Sequence, residues 1–333
     1  MANEALPIHE EPKAKAGIDL RAPTLDTSIE TLDLKKSTAL APHVINLALR
    51  ELVDHLRKKG MTVTNVAFNN VPEAKRFNDA RNQYKLDLDN NPEVRKLFDQ
   101  TSSTDVDEVN AFLKRKGFNI ELKKDATGSV YFAATFQQIA EWNQGGFPLI
   151  DGSVGFMEKK DDQIKTIEIP KRMVKVFDYS GTPVYEVTTA SGDRMYIMKS
   201  AGVKKISQYG LDAEIRSIDS KLQGTAGRQD TGLILPQIQY ENTQSIDWLI
   251  GTGIDVKGSD GYTISQAQMQ TKLNITPAGF EASAGAAGAA RPRGIGGKSD
   301  TIDSPFMMWI KKGEVITFVG RMGRESMISE KVD

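Results

Sequence analysis

Between Gly279 and Ala290 every residue except Phe280, Glu281 and Ser283 is glycine or alanine. So little side chain cannot contribute to a core, and glycine at this density does not hold a helix. The fold must therefore be built by the rest of the chain. On composition alone the run is a flexible linker. Its alternation suggests a second role: positions 280, 282, 284, 286, 288 and 290 are Phe, Ala, Ala, Ala, Gly and Ala, while Glu281 and Ser283 fall on the opposite face. As a strand it would show one apolar, mostly tiny face, and could lie inside a sheet without burying a charge. Arg291-Pro292-Arg293-Gly294 follows directly, so the run ends in an arginine tip.

The remaining composition narrows the chemistry. The chain has 333 residues, 39% hydrophobic and 26% charged, enough for one large domain or two medium ones. Lys plus Arg total 43 against 44 Asp plus Glu, so bulk charge draws it to neither nucleic acid nor anionic lipid. Cysteine is absent, which removes disulfides, thiolate metal sites and cysteine nucleophiles. The only histidines are His9, His43 and His55, so most of the chain has no imidazole for acid–base work or for zinc. No cofactor and no metal are expected. The opening residues lack the apolar stretch of a secretory leader, and no window reaches the roughly 18 apolar residues of a membrane helix. The expectation is a chain without a membrane span, cytoplasmic or exported by an unconventional route unless a leader has been removed.

Local patterns divide the chain. Residues 1–36 mix Pro, Lys, Glu and Thr without periodicity and read as an arm. From Ala41, the residues Val44, Ile45, Leu47, Ala48, Leu49, Leu52, Val53 and Leu56 recur at helical spacing, with Arg57, Lys58 and Lys59 in the last turn and Gly60 as a stop. His43 and His55, at the ends of this helix, read as surface or cap residues. Shorter helices are predicted over 72–84, 92–100 and 105–116, the last with Thr104 and Asp107 in capping-box positions. From Gly128 the texture changes to strands: 128–136, 166–170, 173–177, 184–188 and 194–198, separated by turn residues as in antiparallel hairpins. A helix is expected over 211–222, a strand over 233–240, a short helix over 245–250 and a closing hairpin from 306–310 and 314–319. No internal repeat is visible.

Several motifs fail on inspection. Asp87, Asp89 and Asn91 begin like a calcium loop, but Pro92 stands where that loop needs glycine and Phe98 where it needs the closing glutamate. Gly297-Lys298-Ser299 ends like a phosphate-binding loop whose first glycine would fall on Pro292. Asp161-Asp162 reads as a turn and Lys204-Lys205 as a solvated face.

From about residue 128 to 324, motif order and spacing resemble the serpin family. Gly128-Ser-Val-Tyr131-Phe132-Ala-Ala-Thr-Phe136 is similar to the strand that family writes Asn-x-x-x-Phe-Lys-Gly-x-Trp, with Phe136 in the tryptophan position. Phe147-Pro-Leu-Ile-Asp-Gly-Ser-Val-Gly-Phe-Met157 resembles the following segment, Leu235-Pro236-Gln-Ile the Leu-Pro-Lys-Phe strand, and Ile246–Ile254 the helix after it. Ser304-Pro305-Phe306 and Phe318-Val-Gly320-Arg321-Met resemble the closing strand pair. Only about seventy residues separate the first helix from Gly128, fewer than the family uses, so the resemblance implies a shortened N-terminal part.

The resemblance implies an α+β fold of mostly antiparallel sheets, with a helical N-terminal part and an exposed reactive loop. It divides the chain into the arm, a single domain over 37–324 (helical to 125, sheet-rich from 126, reactive loop at 279–303) and a frayed tail at 325–333. The glycine at the loop's hinge would be Gly279. The bait residue follows it by about fourteen positions in the family, which here gives Arg293, and Pro292 leaves Arg293–Gly294 as the natural scissile bond. The inserting segment would begin Gly279, Phe280, Glu281, Ala282, Ser283, Ala284, Gly285, Ala286, and the sheet would open beside Tyr131, Phe132 and Phe136. By the same resemblance the chain is not an enzyme but a monomeric suicide inhibitor whose partner, held as a covalent acyl complex, is a trypsin-like serine protease. The alternatives are a serpin-fold protein that binds a ligand or partner without trapping, and a scaffold in which the loop is only a linker.

Overall fold

Three buried residues, Thr38–Leu40 (β1), lead through Pro42 into α1 (His43–Lys58), which ends where Gly60 takes a positive φ of 82°. Its apolar stripe of Ile45, Leu49, Leu52 and Leu56 is buried. The computed structural model describes residues 37–126, 128–142, 147–149, 162–200, 208–281 and 299–331. The N-terminal arm therefore lies outside the described residues.

The helical part continues with β2 (Val63–Ala67), α2 (Pro72–Asp89), α3 (Pro92–Arg95), β3 (Phe98–Ser103) and α4 (Val106–Arg115). Proline at the first position starts both α2 and α3. The helix expected over 92–100 stops at Arg95. Phe98 packs on Phe136 at 5.1 Å between ring centroids, and residues 98–103 pair antiparallel with residues 136–131. Tertiary pairing thus overrides a helical local pattern. The cap of α4 is Asp105, whose carboxylate accepts the Asp107 amide at 3.0 Å, rather than Thr104.

The strand-rich part comprises β4 (Tyr131–Phe136), β5 (Ile139–Glu141), β6 (Phe147–Leu149), β7 (Asp162–Ile164), β8 (Thr166–Ile169), β9 (Val174–Tyr179), β10 (Thr182–Thr188), β11 (Arg194–Lys199), α5 (Gln208–Leu222), β12 (Gly232–Pro236), β13 (Ile238–Ser245), β14 (Gly253–Val256), β15 (Tyr262–Thr263), β16 (Gln268–Thr276), β17 (Gly279–Glu281), β18 (Ser299–Thr301), β19 (Phe306–Lys312), β20 (Val315–Met322) and β21 (Ser329–Lys331). The single strand expected over 233–240 is two, broken at Gln237. The short helix expected over 245–250 is instead the end of β13 followed by turns.

β9, β10, β11, β19, β20 and β1 form a six-stranded antiparallel sheet, in the order β1-β20-β19-β11-β10-β9. One face packs on α5 through Leu211, Ile215 and Ile218, the other on Ile167, Leu233 and Leu235. Burial on both faces explains why residues 306–310 and 315–322 are continuous buried runs. The tail read as frayed is packed as far as it is described: Ser326 and Met327 are buried, and β21 pairs with β7.

His43, read as a cap or surface residue, is fully buried, with Nε2 3.0 Å from an Asp87 oxygen. Tyr84 donates to Asp212 at 2.7 Å and Arg216 Nε to the same carboxylate at 2.9 Å, so one polar network ties α1, α2 and α5 together. Loss of solvation outweighs the carboxylate partner and lowers the His43 pKa, while Asp87 stays below its ordinary value despite burial because His43 and Gln83 bond to it.

Candidate functional site

Pro277 and Ala278 turn the chain between β16 and β17, which pair as a tight hairpin: Thr276 faces Gly279, Ile275 faces Phe280 and Asn274 faces Glu281. Proline suits such a turn, and there it takes nothing from the ladder. The second edge of β17 pairs with β5, Gly279 facing Glu141, Phe280 facing Ala140 and Glu281 facing Ile139. The start of the glycine- and alanine-rich run is therefore already a strand between two others, not part of an exposed loop, which is a correction to the span 279–303. At the far end of that span, β18 pairs parallel with β12 and Ile302 is buried.

Two side chains fix β17 in place. Phe280 is 1% exposed and packs on Trp142, whose indole N–H donates to the Thr276 carbonyl at 2.8 Å and whose amide donates to Ala278 at 3.0 Å. Gly279 is required by close approach: a Cβ there would lie 2.1 Å from the Ala140 carbonyl oxygen.

Below β17, among the described residues, no strand lies between β16 and β4. From Gln268 to Leu273, β16 has a ladder partner only in β13, and β4 only in β3, among the described residues. The pairings through β17 put residue 276 level with 141 and residue 274 level with 139. At the same offset Thr271 is level with Phe136 and Gln266 with Tyr131. A cavity of about 300 Å³ lies between these edges, lined by Tyr131, Phe132 and Phe136 of β4, Met269 of β16, and Val44 and Leu52 of α1 behind. All three residues expected to border an opening sheet thus line it.

Across the front runs residues 118–126, in which Phe118, Ile120 and Leu122 alternate like a strand and pack on Val109, Phe112 and Tyr131. The segment is held by side-chain amides rather than by a ladder. Trp142, Asn110, Gln266 and Gln270 were not singled out by the sequence. The alternation after Phe118 was the available signal for this segment. Ala282, Ser283, Ala284, Gly285, Ala286 and the expected bait bond Arg293–Gly294 lie outside the described residues.

The contact between Ser102 and His55 does not form a nucleophile–base pair. The hydroxyl of Ser102 donates to Glu51 at 2.6 Å and lies 3.1 Å from Nδ1 of His55, so a carboxylate, not the imidazole, receives the hydroxyl proton. Among the described residues no three His, Asp or Glu side chains gather as a metal site, and no helix is long and apolar enough to cross a membrane.

No protein-family model matches the sequence, and no curated protein matches it. Solved structures do match by shape. The thermophilic serpin tengpin in its native state aligns with a TM-score of 0.57 at 14% identity, over 88% of this chain and 89% of that one. Human thyroxine-binding globulin in complex with its hormone aligns at 0.52 and 11%, over 88% and 92%. Mouse protein-Z dependent protease inhibitor aligns at 0.53 and 10%, over 86% and 91%. The mostly antiparallel sheets and these alignments together make this a divergent chain with the serpin fold.

Proposed function

We propose that the chain inhibits trypsin-like serine proteases and is consumed in doing so, with Arg293–Gly294 as the bait bond. The observation that carries this reading is β17, three residues paired on both edges directly above a cavity that no strand fills among the described residues. A protease that attacks Arg293 forms an acyl-enzyme through its own serine. The freed loop then extends β17 downward, Ala284 coming level with Thr271 and Phe136, and carries the enzyme with it before deacylation. Phe280 faces the core, so Ala282, Ala284 and Ala286 would follow it inward, toward the α1 side of the cavity. About a dozen residues gaining 0.5–1.5 kcal/mol per hydrogen bond yield on the order of 10 kcal/mol, enough to hold a distorted protease. The arginine selects proteases with a buried aspartate in the specificity pocket.

A second reading, a serpin-fold binding protein that does not trap, draws support from Phe280: a large side chain seated in the core anchors the hinge against Trp142. Incubation with trypsin followed by a denaturing gel separates the two. A covalent band near the summed masses is expected for the inhibitor. Clean cleavage after Arg293 with active protease released overturns it in favour of the binding protein, and scattered cleavage overturns both in favour of a linker.

A further inference from the structure

We propose that Phe68, Arg81, Trp248 and Ile250 form a docking surface for a partner protein, and that the partner brings to it a carboxylate flanked by an aromatic or aliphatic side chain. The inference goes beyond the reading above and does not depend on the loop.

Three stretches distant in the chain build this corner. Phe68 follows β2, Arg81 lies in the middle of α2, and Trp248 and Ile250 sit in the turns between β13 and β14. The fully buried ring of Phe77 joins them. Its centroid is 5.6 Å from that of Phe68 and 5.2 Å from that of Trp248, which also meets Tyr209 edge to face at 5.6 Å. Phe68 and Trp248 rest on this core yet stay partly exposed, and Ile250, at 37%, is one of three exposed large apolar side chains among the described residues. Asn69 holds the surface in shape, its Nδ2 donating to the Trp248 carbonyl at 3.1 Å and to the Ile250 carbonyl at 2.5 Å. The chain then turns away at Gly251, whose φ is 89°.

Arg81 gives the corner its charge. The guanidinium carbon lies 5.4 Å from the centre of the Phe68 ring, and its only hydrogen bond among the described residues is a long one, 3.5 Å, to the Asn78 side chain. Positions 77, 78, 84 and 85, one helical turn away on either side, are Phe, Asn, Tyr and Lys, so the helix puts no carboxylate beside it. Burial lowers the Arg81 pKa, and no neighbouring acid opposes the shift. Elsewhere, shielded cations have counter-ions: Arg216 pairs with Asp212 at 2.9 Å, Lys311 with Asp219 at 2.8 Å and Arg194 with Glu314 at 2.8 Å.

A cation held half out of water without a counter-ion is unfavourable, and a partner's carboxylate would reverse that through a forked, charge-assisted pair. Tryptophan, arginine and further aromatic rings gathered in one place have the composition of interface hot spots. A phosphate-rich partner, such as nucleic acid or an anionic membrane, draws on several cations at once. One guanidinium among rings suits a single carboxylate on an apolar segment.

The test uses the full chain and two probes, the peptide acetyl-Glu-Phe-Glu-Leu-amide and its twin with Gln in place of both Glu. Binding is read from the indole N–H resonance of Trp248, which stands apart from Trp142 and Trp309 because those two are buried. The expected result is a saturable shift with the acidic peptide and an affinity lower by about tenfold or more for the twin. Arg81→Gln should bring the two peptides level, and Phe68→Ala should weaken both. Arg81→Gln removes a cation that has no counter-ion, so the variant should fold, which its melting temperature checks; Arg81→Lys, which keeps the charge and loses the fork, should recover only part of the preference. Equal affinity of the two peptides for the wild-type chain overturns the proposal, as does no shift with either. A shift produced by phosphatidylserine vesicles but not by the acidic peptide overturns it in favour of a membrane. A shift produced by raising the protein concentration alone overturns it in favour of a second copy of this chain.

Discussion

The rings of Phe280 and Trp142 meet edge to face, their centroids 6.0 Å apart and their planes at 69°. This contact joins β17 to the chain segment after β5, so the residue expected to open the hinge is part of the core and not a free tether. Phe280→Ala should therefore cost about 3–5 kcal/mol of stability, as for other fully buried phenylalanines, read as a lower denaturation midpoint. If the hinge is a tether only, the midpoint stays put.

Gly279→Val places side-chain atoms against the Ala140 carbonyl and the Glu141 backbone. The expected outcome is loss of the pairing between β17 and β5, seen as fast hydrogen exchange at Phe280 and Glu281, and a stability loss of about 1–3 kcal/mol. Protection at those amides equal to wild type would contradict the geometry.

Under the proposed insertion, Ala284→Glu puts a charge on the inward face of the inserting strand without adding a second trypsin site. Trypsin should cleave this variant after Arg293 and be released active, giving no covalent band. Trapping at the wild-type level would exclude insertion between β16 and β4.

His43 titrates lower in the fold than the ordinary 6.5. The unfolded chain therefore binds the proton first, and stability should fall as pH drops through about 6.5 toward the lower folded value. Asp87, held below its ordinary 3.8, adds a second loss further down, as pH falls past that value. Denaturation midpoints measured between pH 8 and pH 5 should decline, and His43→Gln should flatten the decline. A midpoint indifferent to pH over that interval in the wild-type chain would rule out a neutral buried imidazole.

Lys311 is 2% exposed and lies 2.8 Å from Asp219, which also accepts the Trp309 indole at 3.1 Å. Asp219→Ala leaves a buried ammonium whose remaining carboxylate partner among the described residues is the exposed Glu314, and should cost about 3–5 kcal/mol. Restoring stability with Lys311→Met in the same chain would confirm that the unpaired charge is the cause.

Much of this was legible from sequence because it is written in local periodicity. The stripe from Val44 to Leu56 fixes α1, and the alternations at 184–188 and 194–198 fix a hairpin. The arithmetic from Gly279 rests on motif spacing, and the structure bears on its first three residues alone. What escaped depends on partners distant in the chain. Phe98 looks helical until Phe136 pairs with it. His43 looks like a cap until α2 and α5 bring Asp87 and Arg216 beside it. The alternation of Met269, Thr271, Leu273 and Ile275 marks β16 in retrospect, yet the polar residues between them, of which Gln270 alone is buried, conceal the strand. Gln266 and Gln270 carry no pattern, since an amide becomes a clamp only when another backbone passes within reach.

The hairpin turn at Pro277-Ala278 has a kinetic consequence. Starting a new strand is the slow part of annealing, because several dihedral angles must be fixed before bonding compensates for them. Under the proposed insertion, β17 has already made that start in the uncut chain. After a cut at the tip, the loop would only need to propagate from an existing nucleus, one residue at a time, like a zip fastener whose slider is already seated.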